Sequence, residues 1–483
     1  MDANVFKQIN FGAIAAETEK EYYPKLLLNG YIDNQGYINK IVKGPHFLVY
    51  GQKGSGKSAI GARLLLKSKE MGHSSKLYTL ERLNYNSFGK ISTSKEAPEV
   101  SNTRNWEIVL HIAILNFISS DEKVMKSNKK IKELIDGLIQ IGAIPSKDIF
   151  EIVSKVEKKQ IGANIKLASG ETSTETSFQY SYENMYNNLR EAVNSIELPN
   201  DHFIIIDGLD SVITHRDNQR KVLSGLLHAA NLINDELHSY RIPLKIIVLC
   251  RTDVLDKLND PNKQKIVSDR GIELNWYQHG IPLAENDLIQ MINLRAKIDL
   301  EQEIDVFKEF FPAKIENKDV RKFLLDYTRH IPRDMIDLMT KIRDCCTGPI
   351  SKNTIIAGIN RYSADYFYGE IRDELVGILD DKVVDDLFSI LQSMKTYRFT
   401  FKDMKATMDE MGIKMDLEQA LSQLYDIGGI GTVTKKESND EYSFKFRDRY
   451  SKYCSTDEIV IHLALQNALK ARGKLERVGK ALP

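Results

Sequence analysis

The stretch Phe47-Leu-Val-Tyr-Gly-Gln-Lys-Gly-Ser-Gly-Lys-Ser-Ala-Ile60 decides how this chain reads: an apolar strand, a glycine-rich loop and the first turn of a helix. Gly51, Gly56, Lys57 and Ser58 satisfy G-x-x-x-x-G-K-[ST], whose glycines let the backbone curl so that successive N–H groups face phosphate oxygens. Gly54, Ser55 and Ala59 complete the predicted phosphate-binding set. In this pattern Lys57 neutralises the β- and γ-phosphates and Ser58 offers a hydroxyl to Mg²⁺, at a helix N-terminus that already favours anions. Ile60, Leu64 and Leu65 then continue as a helical apolar stripe.

The bulk numbers set the frame. A chain of 483 residues implies about three domains. Hydrophobic residues at 42% and charged residues at 28% are ordinary globular values, so a sizeable core is expected. Lys+Arg 67 equals Asp+Glu 67, which leaves no overall field to draw the chain onto nucleic acid or membrane. The cysteines, Cys250, Cys345, Cys346 and Cys454, lack metal-ligand spacing and read as reduced thiols. No leader pattern and no long apolar run is present, so a cytoplasmic protein without a membrane partner is expected.

Residues 1–46 lead into the loop through Phe11-Gly-Ala13, a helical pattern ending near Leu28, and a short helix around Ile38 and Ile41. Such a lead-in either covers a nucleotide base or packs against the sheet. Lys76-Leu-Tyr-Thr-Leu80 reads as a second strand. His202-Phe-Ile-Ile-Ile-Asp-Gly-Leu-Asp210 reads as a buried parallel strand ending in acids. Asp207 at its carboxyl end is the expected Mg²⁺ partner, and Asp210 either polarises an attacking water or caps the next helix. Lys57 and Asp207 are 150 residues apart, far more than one βαβ step needs. The excess predicts a helical insertion over about 119–182, with Ser169-Gly-Glu-Thr-Ser-Thr-Glu-Thr-Ser177 as its polar connector.

Leu244-Lys-Ile-Ile-Val-Leu-Cys-Arg-Thr-Asp253 is a third strand, whose Arg251 or Thr252 would reach the γ-phosphate. Arg270 opens a further strand and is a weak candidate for an arginine finger. Helices take over from Pro282, and Pro332 and Arg333 open one of them, Arg333 either leaning over nucleotide or simply capping the helix. Residues 371–455 read as three helices followed by a hairpin, the winged-helix pattern. Between Asp381 and Cys454 there are 12 Lys/Arg against 13 Asp/Glu, so a packing or autoinhibitory module is as good a reading as DNA binding. The wing itself carries Lys435, Lys436, Lys445, Arg447, Arg449 and Lys452. Residues 456–483 read as a basic helical tail.

Taken together, these residues resemble the STAND and AAA+ branches of P-loop ATPases. Asp207-Gly-Leu-Asp210 is similar to the D-G-L-D-E Walker B of NACHT-type proteins, although no glutamate follows Asp210. The strand ending at Arg251 is similar to their sensor 1 strand. Ile331-Pro-Arg333 falls where that group has G-x-P or a sensor 2 arginine, with His330 in place of the glycine. With the Phe11-Gly-Ala13 lead-in, the chain looks like a bacterial STAND-like family often encoded beside anti-phage defence or DNA-processing genes. The resemblance implies an α/β fold: a parallel-sheet P-loop NTPase core of ASCE/AAA+ type over 1–280, a helical lid over 281–370 and a C-terminal winged helix. It implies ATP and Mg²⁺ as cofactors, ATP hydrolysis by Lys57, Asp207, Asp210 and Arg251, a homo-oligomer and a protein effector partner. A DNA-binding loader and an ADP-locked scaffold are the alternatives.

Overall fold

The structure, a computed structural model, describes residues 3–80, 83, 88, 98–121, 125, 128–140, 142–157, 176–209, 217–258, 260, 262–435 and 440–472. The chain divides into two compact units. Residues 35–51 and 57–274 form the first, and residues 1–34, 52–56 and 275–483 the second.

In the first unit, β1 (Leu48–Gly51), β2 (Ser74–Thr79), β3 (His202–Asp207), β4 (Leu244–Arg251) and β5 (Gly271–Leu274) form a parallel sheet in the order β2-β3-β4-β1-β5. Runs such as Ile204-Ile-Ile206 and Ile246-Ile-Val248 are wholly buried, as parallel strands covered on both faces require. Register sets Ile206, Val248 and Leu48 in one row and pairs Gly51 with Arg251.

The helix Pro98–Ile118 packs along the helix Asp217–Ser239. Trp106 Nε1 donates to the Val222 carbonyl at 2.7 Å. Tyr78 of β2 donates to the Ala113 carbonyl at 3.1 Å and accepts from Asn116 at 2.8 Å, which pins the long helix to the sheet. The expected insertion contains helices Lys129–Gln140 and Ile149–Glu157 and the start of Thr176–Asn194. Their Ile131, Ile135, Leu138 and Ile152 join the same buried cluster as Ile204 and Ile206. An amphipathic stripe needs a partner face, and these helices find theirs in the sheet's own core. The connector expected at 169–177 lies almost entirely outside the described residues.

In the second unit, Phe6 packs at a tilt against Phe11 and Phe310 and edge-on against Phe311. Buried Arg295 pairs with Glu19 and donates to the carbonyls of Phe11 at 2.7 Å and Gly30 at 3.1 Å. That pair explains the Phe11-Gly-Ala13 lead-in: a methyl on Gly12 would fall 2.0 Å from Glu19 Oε1. A helical stretch follows from Asp287–Leu300, through Val306–Phe310, a two-residue hairpin (β6, Lys314–Ile315; β7, Lys318–Asp319), Val320–Leu325, Pro332–Asp344 and Lys352–Arg361. A π-helical turn, Tyr362–Phe367, runs directly into the helix Tyr368–Val376.

The C-terminal part of this unit has helices Asp381–Ser393, Phe401–Glu410 and Leu417–Asp426. Thr400 and Asp403 close a capping box at the second. A four-stranded antiparallel sheet, in the order β10-β9-β11-β8, comprises β8 (Arg398–Phe399), β9 (Ile430–Lys435), β10 (Asp440–Ser443) and β11 (Glu458–Ile461). The β9–β10 hairpin sets Tyr442 opposite Val433. Residues 456–472, read from sequence as part of a basic tail, instead supply β11, paired between β9 and β8, and a helix, Leu463–Arg472. Ala464, Leu465, Ala468 and Leu469 of that helix are fully buried, so its apolar face outweighs the basic residues beside it. Positions 473–483 lie outside the described residues. Among the described residues, no helix is long and apolar enough to cross a membrane.

Candidate phosphate-binding site

The α/β unit brings Gly51, Lys57, Ser58, Ala59, Asp207 and Arg251 to the carboxyl ends of its strands. β1 ends at Gly51, and Lys57 opens the helix Lys57–Met71. Lys57 is buried and its Nζ donates to the Gly51 carbonyl at 3.2 Å, across the mouth of the loop. Asp207 ends β3, and its Oδ1 accepts from the Gly208 N–H at 2.7 Å. Since Ile206 shares a row with Val248 and Leu48, Asp207 emerges one residue past it, at the carboxyl edge of the sheet. Asp210 lies outside the described residues.

Arg251 does not present a free guanidinium to a γ-phosphate in this conformation. Its Nε and Nη2 donate to the two carboxylate oxygens of Asp253, both at 2.8 Å, a bidentate fork in a buried setting. Burial alone would raise the Asp253 carboxyl. Arg251, with help from Lys257 and Lys57, outweighs burial and holds it below the usual carboxylate range. Asp253 was not singled out from the sequence, although its place two residues after Arg251 allows such a fork. Arg270 ends a helix, Lys263–Arg270, and pairs with Asp235 at 2.8 Å.

Residues 52–56, the tip of the loop, pack within the second unit. Gly54 and Gly56 have φ of +81° and +97°, the left-handed backbone that glycine adopts without strain. A methyl at Gly54 would come 2.9 Å from Ile331 Cδ1 and 3.0 Å from Arg333 Cβ. The Arg333 N–H points at the Gly54 carbonyl at 3.4 Å, and Trp276 Nε1 donates to the Ser55 carbonyl at 2.8 Å. Ser55 Oγ is buried without a hydrogen-bond partner among the described residues. Pro332 takes the first helical position of Pro332–Asp344. The Arg333 side chain donates to the Ile14 carbonyl at 3.2 Å and meets Glu370 at 3.4 Å, and Lys53 meets the same Glu370 oxygen at 3.2 Å. Lys53, Glu370 and Trp276 escaped the sequence reading because contacts across hundreds of residues leave no local pattern.

His330 stands where the resembling proteins carry glycine, and its φ is +53°. The position therefore keeps a glycine-like backbone, at a cost of about 1–3 kcal/mol for a side chain. The ring stacks on Phe446 at 5.8 Å and meets the edge of Tyr277 at 5.0 Å. Burial lowers its imidazole to about 3, so it is neutral at physiological pH.

The residues present fit a nucleotide. Two glycines at positive φ and an orphaned buried hydroxyl at Ser55 suit phosphate oxygens, and in the α/β unit Lys57 opens a 15-residue helix whose N-terminus favours anions. Ser58 and Asp207 are hard oxygen donors suited to Mg²⁺, which leans on one or two protein groups, phosphates and water. The parallel sheet, the glycine loop and the helix that follows it are consistent with a P-loop NTPase core.

Residues 286–368 match a family model described as the FunZ-associated C-terminal helical domain. The putative transposon gamma-delta 80.3 kDa protein of Escherichia coli (strain K12) is 21% identical over 497 aligned residues, spanning 96% of this chain and 67% of that protein. Among solved structures, Cdc6p from Pyrobaculum aerophilum aligns over 98% of this chain and 99% of its own at 13% identity. Its TM-score is 0.33, too loose a superposition to carry a fold assignment.

Proposed function

We propose that this chain is a Mg²⁺-dependent, ATP-hydrolysing molecular switch. The observation that carries the reading is the glycine loop itself: strand, positive-φ glycines and helix in sequence, with Lys57 held on the Gly51 carbonyl ready to turn to phosphate. The strand order β2-β3-β4-β1-β5 supports the finer ASCE/AAA+ assignment, since one strand separates the loop strand from the strand of Asp207. Lys57 stabilises charge on the phosphates, Ser58 and Asp207 hold Mg²⁺ and its waters, and Asp210 orients the attacking water. Arg251 is positioned by Asp253 and answers the phosphates by leaving that fork. Arg333 senses them from the Pro332–Asp344 helix. In this reading the region 371–472 is a winged helix whose angle responds to the nucleotide. Hydrolysis then regulates a separate effector protein in a defence or DNA-processing system, through an assembly of several copies.

DNA loading is the weaker reading. Exposed Tyr450, with Arg449 over its ring at 5.9 Å, suits a nucleic-acid contact. Other wing cations are already engaged: Lys445 with Asp426, Lys435 with Glu458, and Arg447 over the Phe444 ring.

The test is steady-state ATP hydrolysis by the whole protein, with and without double-stranded DNA. Lys57→Ala is expected to lose at least about a hundredfold in turnover and Asp210→Asn to retain bound ATP. Normal turnover in both variants overturns the proposal. Stimulation by DNA that fades as salt rises promotes the loader reading.

A further inference from the structure

Glu370 receives two cations on one carboxylate oxygen: Lys53 Nζ at 3.2 Å and Arg333 Nη1 at 3.4 Å. Lys53 belongs to the glycine loop and Arg333 touches it through the Gly54 carbonyl. Both cations are partly buried, and both lean on this one carboxylate oxygen. We propose that Glu370 is a built-in competitor for the nucleotide's phosphates, an intramolecular anion that holds Lys53 and Arg333 until a triphosphate takes them. The inference rests on the glycine loop binding nucleotide.

The surroundings make this more than a surface pair. Glu370 lies on the helix Tyr368–Val376, directly after the π-helical turn Tyr362–Phe367, an irregularity that recurs at functional sites. One turn further on, Glu374 pairs with buried Arg329 at 2.9 Å, and Arg329 also grips Asp334. The same helix face therefore holds the 329–334 turn at both ends, Arg329 through Glu374 and Arg333 through Glu370. Toward the C-terminus, Tyr368 packs its ring on Phe388 at 5.0 Å, and Ile371 lies against Gly429, just before β9. Release of Glu370 frees one end of that grip on a helix already in contact with the C-terminal sheet. Phosphate occupancy at the loop and the posture of residues 381–461 are thus linked through one carboxylate.

The experiment measures the affinity of the full-length protein for MgATP and MgADP by calorimetry. It compares wild type, Glu370→Gln, the Lys53→Ala/Arg333→Ala pair, and all three changes together, with melting curves to check folding. Glu370→Gln is expected to tighten MgATP binding about fivefold or more. That gain should vanish when Lys53 and Arg333 are already alanine, because a general field effect of the lost charge would persist there. An unchanged or weaker affinity in a folded Glu370→Gln protein overturns the competition, as does a gain that survives without the two cations. If wild type binds nucleotide and Lys57→Ala abolishes binding, such a result removes the Glu370 mechanism alone. If neither wild type nor Glu370→Gln binds nucleotide, both readings fall.

Discussion

Asp337 lies one turn beyond Asp334 on the helix Pro332–Asp344, and its Oδ2 is buried with no hydrogen-bond partner among the described residues. Burial raises its carboxyl to about 6, Lys341 offsets part of this, and Asp334, Asp365 and Asp344 add to it. The unfolded chain binds fewer protons than the folded chain between pH 3.8 and about 6, so stability from this group falls as pH rises through that window. Above it the charged form is carried at a cost. Asp337→Asn is expected to raise unfolding stability by on the order of 1–2 kcal/mol at pH 7 and by little at pH 4. Denaturant melts at the two pH values check it; an equal gain at both would assign the effect to packing. Placement was legible in the sequence where it is local: spacing within one strand and one loop sets Lys57 and Ser58 at a helix start and Asp207 at a strand end, where the structure has them. The Arg251–Asp253 fork and the Lys53–Glu370 pair were not, since whether a charge is spent depends on what folds beside it.

At the scale of elements, Gly225 on the helix Asp217–Ser239 faces the backbone of the helix Pro98–Ile118. A methyl there would stand 2.9 Å from the Asn102 carbonyl carbon and 3.0 Å from the Thr103 nitrogen, both backbone atoms that cannot swing aside. Gly225→Ala therefore destabilises by about 1–3 kcal/mol despite alanine's better helix propensity, and a chemical melt showing a gain would mean the helices separate freely. The centre of the sheet was readable because β1, β3 and β4 carry apolar runs, Leu48–Tyr50, Phe203–Ile206 and Ile246–Cys250. The hairpin of β9 and β10 was readable by alternation. β11 was missed: four residues, Glu458–Ile461, run into a largely buried helix with a single histidine between, and so short a run carries no period of its own. The helices at 129–157 were visible as helices, but their burial in the sheet's core depends on a surface the sequence does not display.

On the scale of the whole molecule, the sequence suggested a cut near 280/281, with everything before it one core. The structure groups residues 1–34 with residues 275–483 instead. A chain starting at residue 281 would leave Arg295 buried without Glu19, a loss of about 3–5 kcal/mol, and would strip Phe6 and Phe11 from the rings of Phe310 and Phe311. That fragment is expected to melt without a cooperative transition, while the intact chain shows one in this unit. A sharp melt of the fragment alone would refute the point.

The Glu19–Arg295 pair has a bearing on inheritance. A unit whose core is closed by residues 1–34 is not carried whole by a segment that begins at residue 275. Any recombination breakpoint in the middle of the reading frame separates the two charges. A hybrid that keeps this unit intact takes residues 1–34, 52–56 and 275–472 from one parent.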